Sequence, residues 1–161
     1  MASLKLTLAL ALAATALDGV LAGASLDQSI KQLPARRRMG AVAFSVYSRA
    51  ADLGSGILWY GILGMGAALV TIAAAAASLI AGNAFGQSLP LLIAALLSVL
   101  HSLVTTQAAP TNFSQRRVPN DETALAGVFD RFERWQTLRA VLQALTFAAM
   151  LWALVLVAYQ A

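Results

Sequence analysis

The sequence contains no cysteine, a single histidine and few charged residues. The absence of cysteine excludes disulfides, thiolate metal sites and cysteine nucleophiles. With His101 alone, ligation of a haem by two histidines of this chain is also excluded. Only 11% of the 161 residues are charged and 60% are hydrophobic, whereas about a quarter of a soluble domain is charged. The chain therefore lacks the charge needed to cover a soluble globule of its length.

Four apolar segments account for this composition, and each has the roughly 20 residues that a membrane-spanning helix needs. They cover residues 6–26, 54–81, 89–108 and 135–159. The first could instead be a secretory signal, with Lys5 as its charged start and Ala22-Gly23-Ala24 as its cleavage site. Asp18 within the apolar stretch and the three later segments favour a retained helix. The sequence predicts an all-α integral membrane four-helix bundle, a single domain over residues 1–161.

Basic residues are concentrated in two of the three connections between these segments. Nine of the eleven Lys and Arg residues lie in loops 27–53 and 109–134, and none lies in the second loop or after the fourth segment. By the positive-inside rule both basic loops are cytoplasmic. We therefore expect a multi-pass protein of the cell inner (plasma) membrane with both termini outside. Because this topology explains the net charge of +4, nucleic acid is not an expected partner.

The first cytoplasmic loop carries a helical pattern of its own. Pro34 suits the first turn of a helix, and Met39, Val42, Val46 and Ala50 follow at helical spacing. An arginine-rich start followed by an apolar stripe is typical of an amphipathic helix in the membrane interface. A loop whose charges only determine the topology is the alternative.

Two further patterns concern the second and fourth spans. Residues 124–134 resume a helical pattern, which predicts a helix that leads straight into the fourth span. On the second span Gly61, Gly64 and Ala68 form a face of small residues. Such a face is expected to pack closely against a neighbouring helix.

Polar residues inside the spans recur at helical spacing and form stripes that must turn away from lipid. The stripes comprise Ser98, His101, Ser102 and Thr105 on the third span, Gln136, Arg139 and Gln143 on the fourth, and Asp18 on the first. Trp59 and Tyr60 on the second span fall near the same level. At about 1.5 Å per residue, Asp18 and His101 lie roughly 10–13 Å from the cytoplasmic ends. We expect one polar layer that opens toward the cytoplasmic leaflet.

Asp18 is the least easily explained member of this layer, because a carboxylate at that depth needs a partner or a proton. Pairing with Arg139 or His101 is the expected solution, and ionisable groups in one membrane layer indicate a functional site. A purely structural ion pair, with Arg139 snorkelling to the interface, is the alternative.

The residue types restrict the chemistry of such a site. One histidine, one carboxylate and no thiol make a poor metal site, so no metal or cofactor is expected. The layer suits proton chemistry on an apolar, aromatic or quinone-like molecule that enters from the lipid bilayer. His101 or Asp18 would act as the base, and Arg139 would hold the anion that forms.

Short motifs occur in a fixed order along the chain. They are Gly19-Val20-Leu21-Ala22-Gly23-Ala24, then Leu33-Pro34-Ala35-Arg36-Arg37, then Thr105-Thr106 leading to Ala109-Pro110-Thr111-Asn112, and finally Phe129, Phe132 and Trp135 before Arg139. This order resembles the anthrone-oxygenase-like family of small four-helix membrane proteins, long catalogued as a domain of unknown function. The resemblance implies oxidation of an anthrone to an anthraquinone by molecular oxygen without an evident cofactor.

Carried over residue by residue, the family's Pro-x-Asn element is Pro110 and Asn112, and its tryptophan-to-arginine element is Trp135 and Arg139. The family often has histidine or asparagine where this chain has Gln136, and usually asparagine where it has Ala109. These departures weaken the expectation that the substrate is the same, but they leave the expected fold unchanged.

The working hypothesis is that His101, tuned by Asp18, removes a proton while Arg139 and Asn112 stabilise the oxyanion. The expected catalytic residues are His101, Asp18 and Arg139, and the expected substrate contacts are Trp59, Tyr60, Ser98, Ser102, Thr105, Asn112, Trp135, Gln136 and Gln143.

A non-enzymatic role competes with this hypothesis. An accessory subunit of a larger membrane complex would contact a pigment, quinone or lipid and would co-purify with other membrane subunits, whereas a lone bundle or an assembly of the chain with itself would favour the oxygenase. A carrier with alternating access is disfavoured, because the sequence has neither internal repeats nor broken helices.

Overall fold

The computed structural model describes residues 2–159, which are helical over most of their length and include no β-strand. The helices are α1 Ala2–Asp27, α2 Leu33–Met39, α3 Ala41–Ala50, α4 Gly56–Ile80, α5 Phe85–Ser114 and α6 Glu122–Ala158. Four helical stretches of this part of the chain are long and apolar enough to cross a membrane, as predicted: Lys5–Met39, Ala41–Ile80, Phe85–Arg116 and Glu122–Ala158. The terminal residues that the topology prediction places outside, residue 1 and residues 160–161, lie outside the described residues.

The four long helices form a ring in the order α1, α4, α5, α6, and the α4–α5 pair makes the fewest contacts of the four neighbouring pairs. Small side chains fill the centre, including Ala11, Ala74, Ala94 and Ala153, together with Met150. Because alanine lets helix backbones approach closely, this centre is held by van der Waals packing. The weaker α4–α5 contact leaves the ring open on one side.

Both basic loops are largely helical and pack together at one end of the bundle, here called the loop end. π-helical turns over Gln28–Gln32 and Ala51–Ser55 join α1 to α2 and α3 to α4. The Glu122 carboxylate accepts hydrogen bonds from the backbone N–H groups of Ala41 and Val42, at 2.6 and 3.2 Å. An anion there stabilises the N-terminus of α3, and this contact ties the first loop to the third.

The amphipathic pattern of the first loop is divided between two helices rather than one. Gly40 separates α2 from α3 with φ of +86°, a conformation that glycine adopts without steric cost. Met39 therefore lies on a different helix from Val46, although both side chains are exposed. The opposite face of α3 is buried, and Phe44 contacts Phe129 edge-on with ring centroids 4.9 Å apart. Whether the exposed stripe lies in a membrane interface stays a prediction.

The fourth span extends into the third loop as the sequence predicted. α6 is one helix from Glu122 to Ala158, and Asp121 caps it by accepting a hydrogen bond from the Ala124 N–H at 2.7 Å. Side-chain oxygens at this position satisfy N–H groups that have no partner within the helix. α5 likewise runs past Pro110 to Ser114, so the third loop is shorter than the sequence suggested.

Candidate functional site

Asp18 is fully buried and is hydrogen-bonded on both carboxylate oxygens. One oxygen accepts from the Thr71 hydroxyl and the other from the Gln143 amide, each at 2.8 Å. The expected pairing with Arg139 or His101 was therefore wrong. Thr71 on α4 and Gln143 on α6 are the donors to the carboxylate. Because both are neutral, they satisfy it without burying a second charge. Asp18 thus joins α1, α4 and α6.

Replacing Asp18 with alanine should lower the free energy of unfolding by about 2 kcal/mol, because Gln143 and Thr71 lose their buried acceptor. Unfolding in mixed micelles with increasing sodium dodecyl sulfate measures this loss. In double-mutant cycles Asp18→Ala should couple to Gln143→Ala by about 1 kcal/mol and should not couple to His101→Ala. Coupling to His101→Ala instead would indicate that Asp18 pairs with His101, as the sequence suggested.

Arg139 on α6 points into the bundle and is held by its own helix. Its Nη1 donates to the Gln136 side-chain oxygen at 2.8 Å, and the Gln136 amide donates to the Ser25 carbonyl at 3.4 Å. Among the described side chains no carboxylate forms a salt bridge with Arg139. Its Nε is buried and has no hydrogen-bond partner. The guanidinium therefore keeps donor capacity for another group.

His101 on α5 is 5% exposed, and its Nε2 is buried without a hydrogen-bond partner. The neighbouring hydroxyls do not supply one, since Thr105 donates to the His101 carbonyl at 2.8 Å and Ser102 to the Ser98 carbonyl at 2.9 Å. An unsatisfied buried polar group costs about 1–3 kcal/mol. Such a group in a folded protein calls for an explanation, and one is a partner supplied from outside the chain.

Two neighbouring cavities are lined by α4, α5 and Arg139 of α6, and the loop-end one of them also by α1 and the two π-helical turns. The mid-bundle cavity has a volume of about 370 Å³, and its walls include His101, Arg139 and Tyr60. The loop-end cavity has a volume of about 250 Å³, and its walls include Asp52 and Asn112. Tyr60, Gly61, Thr105 and Arg139 belong to both cavities. Arg139 thus stands at the boundary between the two cavities.

The small-residue face of α4 lines the mid-bundle cavity and does not pack against a helix there. Gly61, Gly64 and Ala68 are all in its wall. A Cβ atom built on Gly61 or Gly64 would meet no heavy atom within 4 Å. The prediction of close helix packing through this face was therefore wrong, because α4 and α5 stand apart at this level.

The structure gathers part of the predicted site and separates the rest. The walls of the two cavities contain Tyr60, His101, Ser102, Thr105, Asn112, Gln136 and Arg139. Asp18, Trp59, Ser98, Trp135 and Gln143 line neither cavity. Trp59 is 55% exposed on the outside of the bundle, because successive residues of a helix point about 100° apart. Depth in the membrane placed these residues at one level, but helix rotation decides which of them share a cavity.

Asp52 is a cavity residue that sequence reasoning missed. It lies in the π-helical turn before α4, accepts a hydrogen bond from the Ser48 hydroxyl at 2.8 Å and lines the loop-end cavity. Gln28 and Ser25 line the same cavity. Asp52 lies two residues before the second predicted span, and this position was the signal available in the sequence. The helical geometry of the turn directs its side chain into the cavity.

Comparison of the chain with protein-family models, with curated proteins and with solved structures gives no match. The resemblance to the anthrone-oxygenase-like family thus stays an expectation from short motifs. The cavities and their polar groups are the basis for assigning a function.

Proposed function

We propose that this multi-pass membrane protein binds an apolar aromatic or quinone-like molecule in the mid-bundle cavity and oxidises it with molecular oxygen, without a cofactor. One observation carries the proposal. His101 and Arg139 line the same cavity, and each has a buried nitrogen without a hydrogen-bond partner. Gly64, Met65 and Leu69 belong to the apolar part of the same wall. A mostly apolar cavity with a few convergent polar groups is the usual form of a small-molecule site.

The reaction class comes from the family resemblance, and its steps can be assigned to these residues. An anthrone has an acidic CH₂ group opposite its carbonyl. His101 removes one proton, and the enolate oxygen that results lies beside the Arg139 guanidinium, which stabilises it. Molecular oxygen accepts the electrons of the carbanion and forms a C–O bond to it, and the proton returns from His101 to give a hydroperoxide. Loss of water from the hydroperoxide gives the quinone, so one O₂ is converted into one quinone oxygen and one water.

The roles of Asp18 and Asn112 differ from those in the hypothesis drawn from the sequence. Asp18 does not tune His101, because both of its oxygens are bonded elsewhere. Asn112 lines the loop-end cavity, and its side-chain oxygen accepts from the Gln115 amide at 2.7 Å. Its role is to hold the loop end, and the oxyanion is left to Arg139.

The proposal is tested with the purified protein in lipid nanodiscs. Oxygen uptake with anthrone as the substrate is followed by an oxygen electrode, and anthraquinone is followed by its absorbance. Uptake above that of empty nanodiscs, with one O₂ consumed per quinone, is expected. No uptake, together with stoichiometric foreign subunits in native mass spectrometry of the gently extracted protein, would replace the oxygenase proposal with that of an accessory subunit.

The orientation in the membrane is also a proposal. We place the loop end on the cytoplasmic side of an inner (plasma) membrane, because its nine Lys and Arg residues follow the positive-inside rule. The exposed stripe of α3 then lies in the interface, where apolar side chains enter the acyl region and arginines meet anionic headgroups.

This orientation can be tested because the chain has no cysteine of its own. Arg117→Cys, at the loop end, should react with a membrane-impermeant maleimide only after the cells are permeabilised. Gly86→Cys, at the opposite end, should react in intact cells, and a Cβ there meets no heavy atom within 4 Å. The reverse pattern would invert the proposed topology.

A further inference from the structure

The mid-bundle cavity reaches from the outer surface of the bundle to a buried histidine. At its outer rim Met65 is 66% exposed and Leu69 is 67% exposed, whereas His101 in its wall is 5% exposed. These rim residues lie on α4, which the composition places within the bilayer. The cavity is therefore open sideways, toward the position that lipid would occupy.

Glycine keeps this opening wide. Because a Cβ on Gly64 would meet no heavy atom within 4 Å, a larger side chain there would project into the space of the cavity. Gly66, two residues further along the same helix, also has no heavy atom within 4 Å of a built Cβ but lines neither cavity. The two glycines differ in the face of α4 on which they lie.

From this geometry we infer that the α4–α5 gap is a lateral entrance through which a phenol-type aromatic molecule passes from the bilayer to His101. The size of the side chain at position 64 sets the width of the entrance, and glycine leaves it open. The inference shares the ligand cavity with the proposed function but does not depend on catalysis. The residues in the cavity wall indicate the chemical class of the molecule that binds there. Apolar rings match the rim, and a phenolic hydroxyl matches the polar side chains in the wall, which include His101, Ser102 and Arg139.

The size of the cavity limits the occupant further. A cavity of roughly 150 Å³ holds benzene, so about 370 Å³ is enough for two or three rings. The nearby Arg139 favours a hydroxyl that can ionise over a neutral ether. A long acyl chain would fill the rim but would offer no hydrogen-bonding group to the polar side chains in the wall.

Photolabelling with 4-hydroxybenzophenone tests the entrance, since this probe has two rings, one phenol and a photoreactive ketone. The full chain in nanodiscs is irradiated, and the labelled residues are mapped by mass spectrometry. Labelling is expected to concentrate on Met65 and Leu69 and on α5 near His101. Gly64→Leu should reduce this labelling about tenfold, and Gly66→Leu should leave it within twofold of the wild type. Benzophenone itself, without the hydroxyl, should label the site several-fold less.

Each other outcome has a defined meaning. Equal labelling of the Gly64→Leu and Gly66→Leu variants, or labelling spread over all lipid-facing helices, overturns the entrance. Selective loss in Gly64→Leu without oxygen uptake by the wild type keeps the entrance and rejects the oxygenase. Oxygen uptake that is unchanged in Gly64→Leu, with unchanged labelling, keeps the oxygenase and rejects the entrance.

Discussion

Replacing His101 with alanine is expected to lower oxygen consumption with anthrone at least a hundredfold. A positioned general base contributes roughly 10²–10⁴ to a rate, and His101 is the imidazole in the wall of the mid-bundle cavity. The loss should appear mainly in kcat, because the ring contacts that bind the substrate stay in place. Oxygen-electrode kinetics at saturating anthrone measure it.

Arg139→Gln should lower the rate by a factor of about 10²–10³, as removal of a charge-stabilising donor does. Ser98→Ala is the matched control for His101→Ala, because Ser98 is buried on the same helix but lines neither cavity. Its rate should stay within twofold of the wild type. A wild-type rate in His101→Ala would reject histidine as the base, and equal losses in all three variants would indicate a general structural effect.

Arg36→Ala is expected to lower the free energy of unfolding by about 2 kcal/mol, within the range for a hydrogen bond to a charged group, because a buried arginine loses two partly exposed carboxylate partners. The Arg36 side chain is 6% exposed. Its Nη2 donates to Asp130 at 2.6 Å and also to Glu133, so that α2 is joined to the start of α6. Glu133, which is 24% exposed beside Arg36, would lose its closest cation. Unfolding in mixed micelles measures the difference.

Arg37→Ala is the matched control, since this neighbour is 70% exposed and its Nη2 lies 3.4 Å from the same Glu133. Exposed ion pairs contribute about 0–1 kcal/mol, so the loss should stay below about 1 kcal/mol. Similar losses for Arg36→Ala and Arg37→Ala would show that burial does not distinguish the two contacts. The loss for Arg36→Ala should fall only in part at high salt, because Arg36 is buried whereas Asp130 is 63% exposed.

The structure brings part of the predicted polar stripes together in one cavity. Tyr60, His101, Thr105 and Arg139 share the mid-bundle cavity, which spacing along each helix suggested. Trp59 and Gln143 lie at a similar predicted level but elsewhere. Sequence spacing identifies the face of a helix and its depth, but not the angle at which that face meets the neighbouring helices.

The small-residue face of α4 shows the same limit. Gly61 and Gly64 identify a face where another backbone can approach closely, but the same residues can also leave a space. Which of these occurs depends on the distance between α4 and α5, and that distance follows from packing over the whole ring. A cavity can therefore be recognised only when the helices are in position.

The sequence by itself determined the membrane character and the four spanning helices, because an apolar run of about 20 residues can cross a bilayer as a helix whose backbone groups are paired internally. It also identified His101 and Arg139 as polar residues that need an interior environment. The tertiary structure decided that Asp18 is bonded to Thr71 and Gln143 and not to Arg139. The physical reason is that a buried carboxylate takes the donors that helix rotation and separation bring within about 3 Å, and neither quantity is encoded in the periodicity of one helix.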